Sequence, residues 1–486
     1  MSSPTPSTKD LFRQDDVERK PTAPESAWEV AVSTLAKKHR LKALCLFSSA
    51  GIGELGIEKC GISIACANEL VPYRVALYKE NFPSHDIIAG DIWQLREEIV
   101  GAINRQLDGD ELFLVYATPP CQGMSSNGLG RLKWEVTQGN RDLEDPRNRL
   151  IIPTVDLLVR LRPRWILLEN VPGMQNTPIR DENNKLVNAI SYIKDQLGEE
   201  YVGTAEVIAC EDYGVPQKRK RLVTIFSRDK AAKDRFKTNG ASFFSRDMRE
   251  PRKTLRDAIG HLPPLDAVDG KNARADYHPY HYVNVLSEEK YWWVSNTPEG
   301  ATAFSNQCVN LVCGFLGNRT HRDEMVDGKW VASKTTPIHC EKCGSLLPRP
   351  VVREKDGSLR LLKGFHSAYR RMRYDEPSRT LTQNFIYEAS DNKIHPDQNR
   401  VLSVLEALII QTIDRYGYSF TIDGKGIGTA KIAEVIGESV PPYLIEKICS
   451  MMVRTSYAGR REQEHDDRET PADRRPDQRQ RKREAS

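Results

Sequence analysis

The chain has 486 residues, a formal net charge of +4, and 39% hydrophobic and 28% charged residues. That balance excludes a mainly disordered chain, and so small a charge leaves a polyanionic partner open without requiring one. Ten cysteines without a regular framework suit a reducing compartment. With no apolar signal stretch at the start and no apolar run of membrane-spanning length, the expectation is a soluble, cytoplasmic protein with no membrane partner.

Residues 1–40 are polar and proline-bearing apart from a helix-like patch at Ala27–Val32, and read as a flexible extension. From 41 to 228, short β-rich runs alternate with helical patterns. The runs are Ala43–Phe47, Ile62–Ala67 leading to Glu69, Ile87–Gly90 leading to Asp91, Leu112–Tyr116, Trp165–Leu168, Thr204–Ala209 and Leu222–Phe226. Apolar residues recur at helical spacing in Tyr73–Phe82, Leu95–Ile103 and Leu150–Leu161. This alternation predicts an α/β fold, a parallel sheet with helices on both faces. Gly51, Gly53, Glu69, Asp91, Cys121 and Glu169 each follow a predicted strand, on the side where an open α/β sheet forms its ligand crevice.

After Arg228 the rhythm breaks. Residues 229–377 are rich in Pro, Gly, His, Arg and aromatics and read as a second, smaller, irregular domain. Helical patterns return at Val401–Asp414 and Pro442–Met452, so 378–458 is expected to pack back onto the first domain; 459–486 reads as a charged, disordered tail.

The first loop, Phe47-Ser48-Ser49-Ala50-Gly51-Ile52-Gly53, has the small residues that let backbone N–H groups approach a ligand, although a plain tight turn has them too. Glu69, about twenty residues on, would bind both hydroxyls of a ribose, and Asp91 would read an adenine amino group. Together they suggest an adenosine-containing cofactor. The absence of Gly-x-Gly-x-x-Gly counts against a dinucleotide.

In Thr118-Pro119-Pro120-Cys121-Gln122-Gly123 two prolines stiffen the turn, fixing where the thiol points, and a following helix N-terminus would favour the thiolate. An inert buried cysteine needs no such turn. Glu169-Asn170-Val171-Pro172 ends the next strand; its carboxyl group would hydrogen-bond a base and, partly desolvated, approach a general-acid role, while Asn170 is also a natural helix cap. In Gln217-Lys218-Arg219-Lys220-Arg221, alternation sends Gln217, Arg219 and Arg221 to one face, where arginines suit phosphate or base oxygens; a surface charge ladder reads the same way.

Taken in order, these segments resemble the DNA cytosine-C5 methyltransferase family over roughly 42–228 and 364–453, and the series continues with Arg379-Thr380-Leu381-Thr382 and Gly437-Glu438-Ser439-Val440-Pro441-Pro442. The resemblance implies a Rossmann-like sheet binding S-adenosylmethionine, with Phe47, Ser49, Ala50, Gly51, Gly53, Glu69, Leu70, Asp91, Ile92, Thr118, Pro119, Glu438 and Ser439 on the cofactor side. It implies Cys121 as the nucleophile on cytosine C6, Glu169 on the N3/N4 edge, Arg221 on O2 and Arg219 supporting the pocket. Gln122, Ser125, Asn170, Val171, Gln217 and Thr382 would meet a cytosine flipped out of double-stranded DNA. Two departures touch the cofactor side: Ser49 and Ile52 replace loop glycines, and Glu438 stands where the family usually has Asn.

The resemblance also makes 229–377 the target-recognition domain, with Arg319, His321, Arg322, Lys363, His366, Arg370 and Arg371 as candidate DNA contacts. Cys308-x4-Cys313 and Cys340-x2-Cys343 within it suit a structural zinc site, with His321 or His339 as substitutes and unliganded core thiols as the alternative. The expected setting is a monomer, cytoplasmic and nucleoid-associated if prokaryotic, in a restriction–modification system with a cognate endonuclease. A tRNA-methylating relative and a non-catalytic DNA-binding relative are the alternatives.

Overall fold

The computed structural model describes residues 27–120, 146–320, 323–326, 329–332, 336–362, 367–390 and 392–457. Helix α1 (Ala27–Lys38) precedes the alternating unit β1 (Lys42–Leu46), α2 (Glu54–Lys59), β2 (Ser63–Glu69), α3 (Pro72–Asn81), β3 (Ile87–Ala89), α4 (Ile92–Leu107), β4 (Leu114–Ala117), α5 (Ile151–Leu161) and β5 (Trp165–Asn170). A hairpin, β6 (Pro178–Arg180) and β7 (Leu186–Asn188), leads to α6 (Ala189–Leu197), β8 (Val202–Ala209), the short β9 (Gln217–Lys218) and β10 (Lys220–Ser227).

Seven strands form one sheet in the order β3-β2-β1-β4-β5-β10-β8. Its central strands β1, β4 and β5 are buried on both faces, which is why they read as continuous apolar runs. In β1, Ala43 and Cys45 enter the large core shared with Val32, Ile57 and Ile445, while Leu44 and Leu46 enter a second core with Ile99, Ile103 and Val155. The second core is covered by α4, whose buried Ile92, Ile99, Ala102, Ile103 and Leu107 form one stripe; Asp91 caps its N-terminus by accepting from the Trp93 N–H.

Three findings differ from the sequence reading. The sheet is mixed: β10 runs antiparallel to both β5 and β8. Only a short helical turn at Cys210–Tyr213 and the two-residue β9 separate β8 from β10, too little chain for a parallel crossover. Within the expected N-terminal extension, α1 is a formed helix that buries Val32 and Ala36 in the large core.

The third concerns the domain boundary. Helices α7 (Lys230–Thr238) and α8 (Leu255–Ile259) place Phe236, Phe243, Phe244, Leu255 and Ile259 in that same core. The irregular region with its own small clusters therefore starts near Leu265 rather than at 229; one cluster joins Leu265, Val283 and Val294, another Trp293, Phe304 and Tyr369. It carries α9 (Glu288–Ser295) and the antiparallel pairs β11 (Asp323–Val326) with β12 (Lys329–Ala332) and β13 (Val351–Arg353) with β14 (Leu359–Leu361).

The chain returns through β15 (Ser378–Arg379), which pairs parallel with β9, and then α10 (Val404–Ile410), α11 (Thr429–Glu438) and α12 (Pro442–Tyr457). Helix α12 packs against α2 at Gly56, where a Cβ would lie 2.2 Å from the Pro442 carbonyl oxygen. That crossing carries the end of α11 to the mouth of the β1 loop. Among the described residues no helix is long and apolar enough to cross a membrane.

Candidate active site

The loop after β1 is tightly wound. Phe47, Ser49 and Gly51, at alternate positions, all have positive φ (58°, 51° and 80°), and the Ser48 and Gly51 N–H groups donate to Asn68 O and Ser48 O within the fold. At Gly51 the requirement is also steric: a Cβ would lie 2.4 Å from the Phe82 ring. Glu69, at the tip of β2, braces the loop, its carboxylate accepting from the Ser49 N–H at 2.7 Å and the Val71 N–H at 2.8 Å. Leu70 beside it is 63% exposed, positioned to cover a ligand.

A narrow cleft runs from this loop past Tyr116 and Thr118 to Val435, Glu438, Ser439 and Val440. Ala50, Ile52 and Gly53 also line it. The Arg74 guanidinium holds Glu438 at 2.7 Å while bonding Glu434 at 2.5 Å. The Ser48 hydroxyl and one Glu54 oxygen are buried beside the cleft without a hydrogen-bond partner among the described residues. A bracing acidic group, a tightly wound loop of small residues and buried polar atoms lining the cleft fit a polar adenosine cofactor with a charged tail. Ile92, which follows Asp91, has its side chain buried in the core under α4. Asp91 lies at the crevice with one oxygen engaged in its helix cap.

On the reacting side, the turn after β4 is tied to both neighbouring strands. Thr118 donates its N–H to Leu46 O (3.2 Å) and its hydroxyl to Phe47 O (3.0 Å), and Asn170 donates its side-chain amide to Pro119 O (3.1 Å). Cys121, Gln122 and Ser125 lie outside the described residues. The residues that deliver the chain to Cys121 are held by β1 on one side and β5 on the other.

Glu169 ends β5, 8% exposed, with Arg221 Nε 2.6 Å from its Oε1. That oxygen still lacks a directed hydrogen bond, so the contact is a close ion pair with the N–H aimed elsewhere. The antiparallel register that places Val223 opposite Glu169 makes them neighbours. Glu169 thus has acceptor capacity and a cation beside it at the rim of the crevice.

Two further expected site residues are buried. Gln217 is fully buried; its amide donates to Gln411 (2.7 Å) and accepts from the Leu381 N–H (2.9 Å), so it is spent inside the protein rather than offered to DNA. Arg219, 1% exposed, donates to the carbonyls of Leu381 (3.1 Å) and Ser439 (2.9 Å), and burial pushes its pKa down to about 9. It joins the start of β10 to the end of α11 and positions the pocket. Thr382 sits half-buried against Gly437, where a Cβ would meet its carbonyl carbon at 2.3 Å.

The model of the C-5 cytosine-specific DNA methylase family matches residues 41–454. The chain belongs to this family. A Type II methyltransferase of Avibacterium volantium, M1.HgaI, is 31% identical to the methylase described here over 423 residues, covering 85% of this chain and 98% of that one. M1.HphI of Haemophilus parahaemolyticus is 25% identical, covering 84% and 86%, and M.AgeI of Thalassovita gelatinovora 26%, covering 83% and 97%. The chain is therefore a DNA methyltransferase of the cytosine-C5 class, with DNA as substrate and S-adenosylmethionine as the methyl donor its family implies.

In the methylase's irregular region, Cys308, Cys313, Cys340 and Cys343 converge, their sulfurs all within 4.8 Å of one another. Cys308 and Cys343 are 3.7 Å apart, Cys313 and Cys340 3.9 Å. A disulfide needs about 2.05 Å, whereas four sulfurs about 2.3 Å from one zinc stand roughly 3.8 Å apart. His339 instead sits in a bridge with Leu346. Arg371, expected at DNA, is 4% exposed and donates to the carbonyls of Val294, Thr297, His395 and Gln398; it is a structural clamp. Arg370 donates to Gly300 O, and Arg319 pairs with Glu341. His321, Arg322, Lys363 and His366 lie outside the described residues.

Sequence reasoning passed over Ser48, Glu54, Arg74 and Tyr116. The available signal for Glu54 was an acidic residue opening an otherwise apolar helix directly after Gly53.

Proposed function

We propose that the methylase is the modification enzyme of a Type II restriction–modification system, acting on a flipped-out cytosine in double-stranded DNA through Cys121. The observation that carries the reading is the placement of the Glu169–Arg221 pair beside a Pro-Pro turn bonded to both neighbouring strands. Glu169 holds the N3/N4 edge of the base and favours protonation at N3; Arg221 contacts O2. Electron density is thereby drawn from C6, where the Cys121 thiolate forms its S–C bond and C5 becomes nucleophilic. S-adenosylmethionine, when bound, supplies an electrophilic methyl group. Loss of the C5 proton and cleavage of the S–C6 bond return the ring to aromaticity and the thiolate to the enzyme.

On this reading Glu69 binds the ribose hydroxyls, Asp91 and Leu70 meet the adenine, and Ser439 and Glu438 border the methionyl end. Cys308, Cys313, Cys340 and Cys343 hold a structural zinc that orders a recognition region of small cores. The methylase works as a cytoplasmic monomer alongside an endonuclease of the same specificity. Incubation with methyl-labelled S-adenosylmethionine and either DNA or tRNA, with Cys121→Ser in parallel, tests the central part. Label in DNA and none with the variant is expected; label in neither substrate, or in tRNA alone, overturns it. Metal analysis of the purified protein should give one zinc per chain, and a metal-free protein removes that element.

A further inference from the structure

Ser48 and Glu54 stand at the two ends of the β1 loop, 6% and 1% exposed. Both line the cleft, and Ser48 Oγ and Glu54 Oε1 are buried without a hydrogen-bond partner among the described residues. Glu54 opens α2 but takes no part in capping it; Gly53 is the cap residue and no side-chain bond is made there. The groups around it are Glu58 on its own helix, Glu69 on β2, Cys45 on β1, Tyr78 on α3, Tyr116 on β4, Cys449 on α12 and Tyr418. All are acidic or neutral. Tyr418 already donates to Ala50 O, and the Tyr78 hydroxyl contacts His85. The neighbouring Ser48 hydroxyl and the backbone at Glu54 act on this buried carboxyl, its Oε1 keeps no directed hydrogen bond among the described residues, and none of the surrounding groups is a cation.

One kind of ligand group answers both needs: a cation that carries hydrogens. Of the two cationic centres of S-adenosylmethionine, the sulfonium has no hydrogen to donate, whereas the α-ammonium has three. We infer that Glu54, with Ser48 beside it, receives the α-ammonium at the methionyl end of the cofactor and so sets both the affinity and the register of the methyl donor. The inference rests on the reading that this cleft holds S-adenosylmethionine. It also uses the polarity of the crevice: with Glu69 and Asp91 at the adenosine end, the cofactor's tail falls toward the loop and β4.

A pH signature follows. In the ligand-free protein burial pushes the Glu54 carboxyl up to about 7, while an ammonium partner favours the ionised form. Binding below pH 7 therefore releases a proton, and affinity should climb up to about tenfold per pH unit from 6 toward 7.

The test measures equilibrium binding of S-adenosylmethionine, S-adenosylhomocysteine and 5′-methylthioadenosine to the intact protein and to Glu54→Gln. The second ligand keeps the ammonium without the sulfonium, and the third keeps adenosine and sulfur without the amino-acid tail. Glu54→Gln should lose tenfold or more for the first two alike, keep its affinity for 5′-methylthioadenosine, and lose the slope between pH 6 and 7. Retained 5′-methylthioadenosine binding also shows that the variant is folded. Unchanged affinity for the two tailed ligands overturns the inference, as does a loss confined to S-adenosylmethionine or an equal loss for all three. If the unaltered protein binds none of them, the cofactor reading itself fails.

Discussion

Glu169 and Arg221 meet across an antiparallel strand pair, and their chemistry follows from what each leaves unused. The carboxylate has a cation at 2.6 Å and an oxygen without a directed hydrogen bond. Glu169→Gln keeps the shape and removes the charge that favours N3 protonation; methyl transfer should fall about 10²–10⁴-fold, measured as single-turnover rate with cofactor affinity as the control. Glu54 gives a stability prediction of known sign. Its folded-state pKa of about 7 lies above the ordinary 4.5, so its stabilising contribution is full below 4.5 and lost as pH rises through 7. Without ligand, Glu54→Gln should therefore gain on the parent protein in denaturant midpoint between pH 5 and pH 8. At this scale the sequence was legible where position follows from a strand end, as for Glu69, Thr118 and Glu169. It was not legible where two residues share a face but have different partners. Alternation put Gln217 and Arg221 on one side, yet Gln217 is consumed by Gln411 and Leu381 while Arg221 reaches Glu169.

The elements that return to the sheet are fixed by buried charge. Arg400 and Glu406 are both fully buried and joined by two hydrogen bonds of 2.7 Å, and Glu406 also accepts from the Ser403 N–H in the box that caps α10. The Arg400 charge, with those bonds, outweighs burial and lowers the Glu406 pKa to about 2. Removing the carboxylate strands a buried guanidinium, so Glu406→Gln should cost about 3–5 kcal/mol in urea unfolding. The pair's contribution is present above pH 4.5 and lost as pH falls toward 2. Strands and helices as such were readable, the strands from short apolar runs and the helices from the 3.6 periodicity. The direction of β10 was not, because direction depends on the length and path of the connection from β8, and the runs of apolar residues look the same either way. Arg371 was misjudged for a related reason: a basic residue near a candidate site looks the same whether it faces DNA or, as here, four backbone carbonyls.

Across the whole molecule, two large cores carry the sheet, one of them shared with α1, α7, α8 and α12, while the irregular region rests on small separate clusters. Clusters of that size contribute little stability, so the four-cysteine site should matter most there. A zinc chelator should weaken duplex DNA binding tenfold or more and leave cofactor affinity within about twofold; equal losses in both would place the metal's effect in the sheet. The domain boundary was misread because the strand–helix rhythm stops at β10 while core residues such as Phe236 and Phe243 continue. The four cysteines were legible as a set because metal-ligand spacing is local in each half, and the fold only had to bring the halves together. The most direct measurement of the central claim needs no knowledge of the recognised site. Nucleoside mass spectrometry of genomic DNA from a bacterial host without cytosine methylation of its own should show 5-methyl-2′-deoxycytidine when the methylase is expressed, and none with Cys121→Ser. N4-methylcytosine, methylated adenine, unmodified DNA, or the same 5-methylcytosine from the serine variant would contradict it.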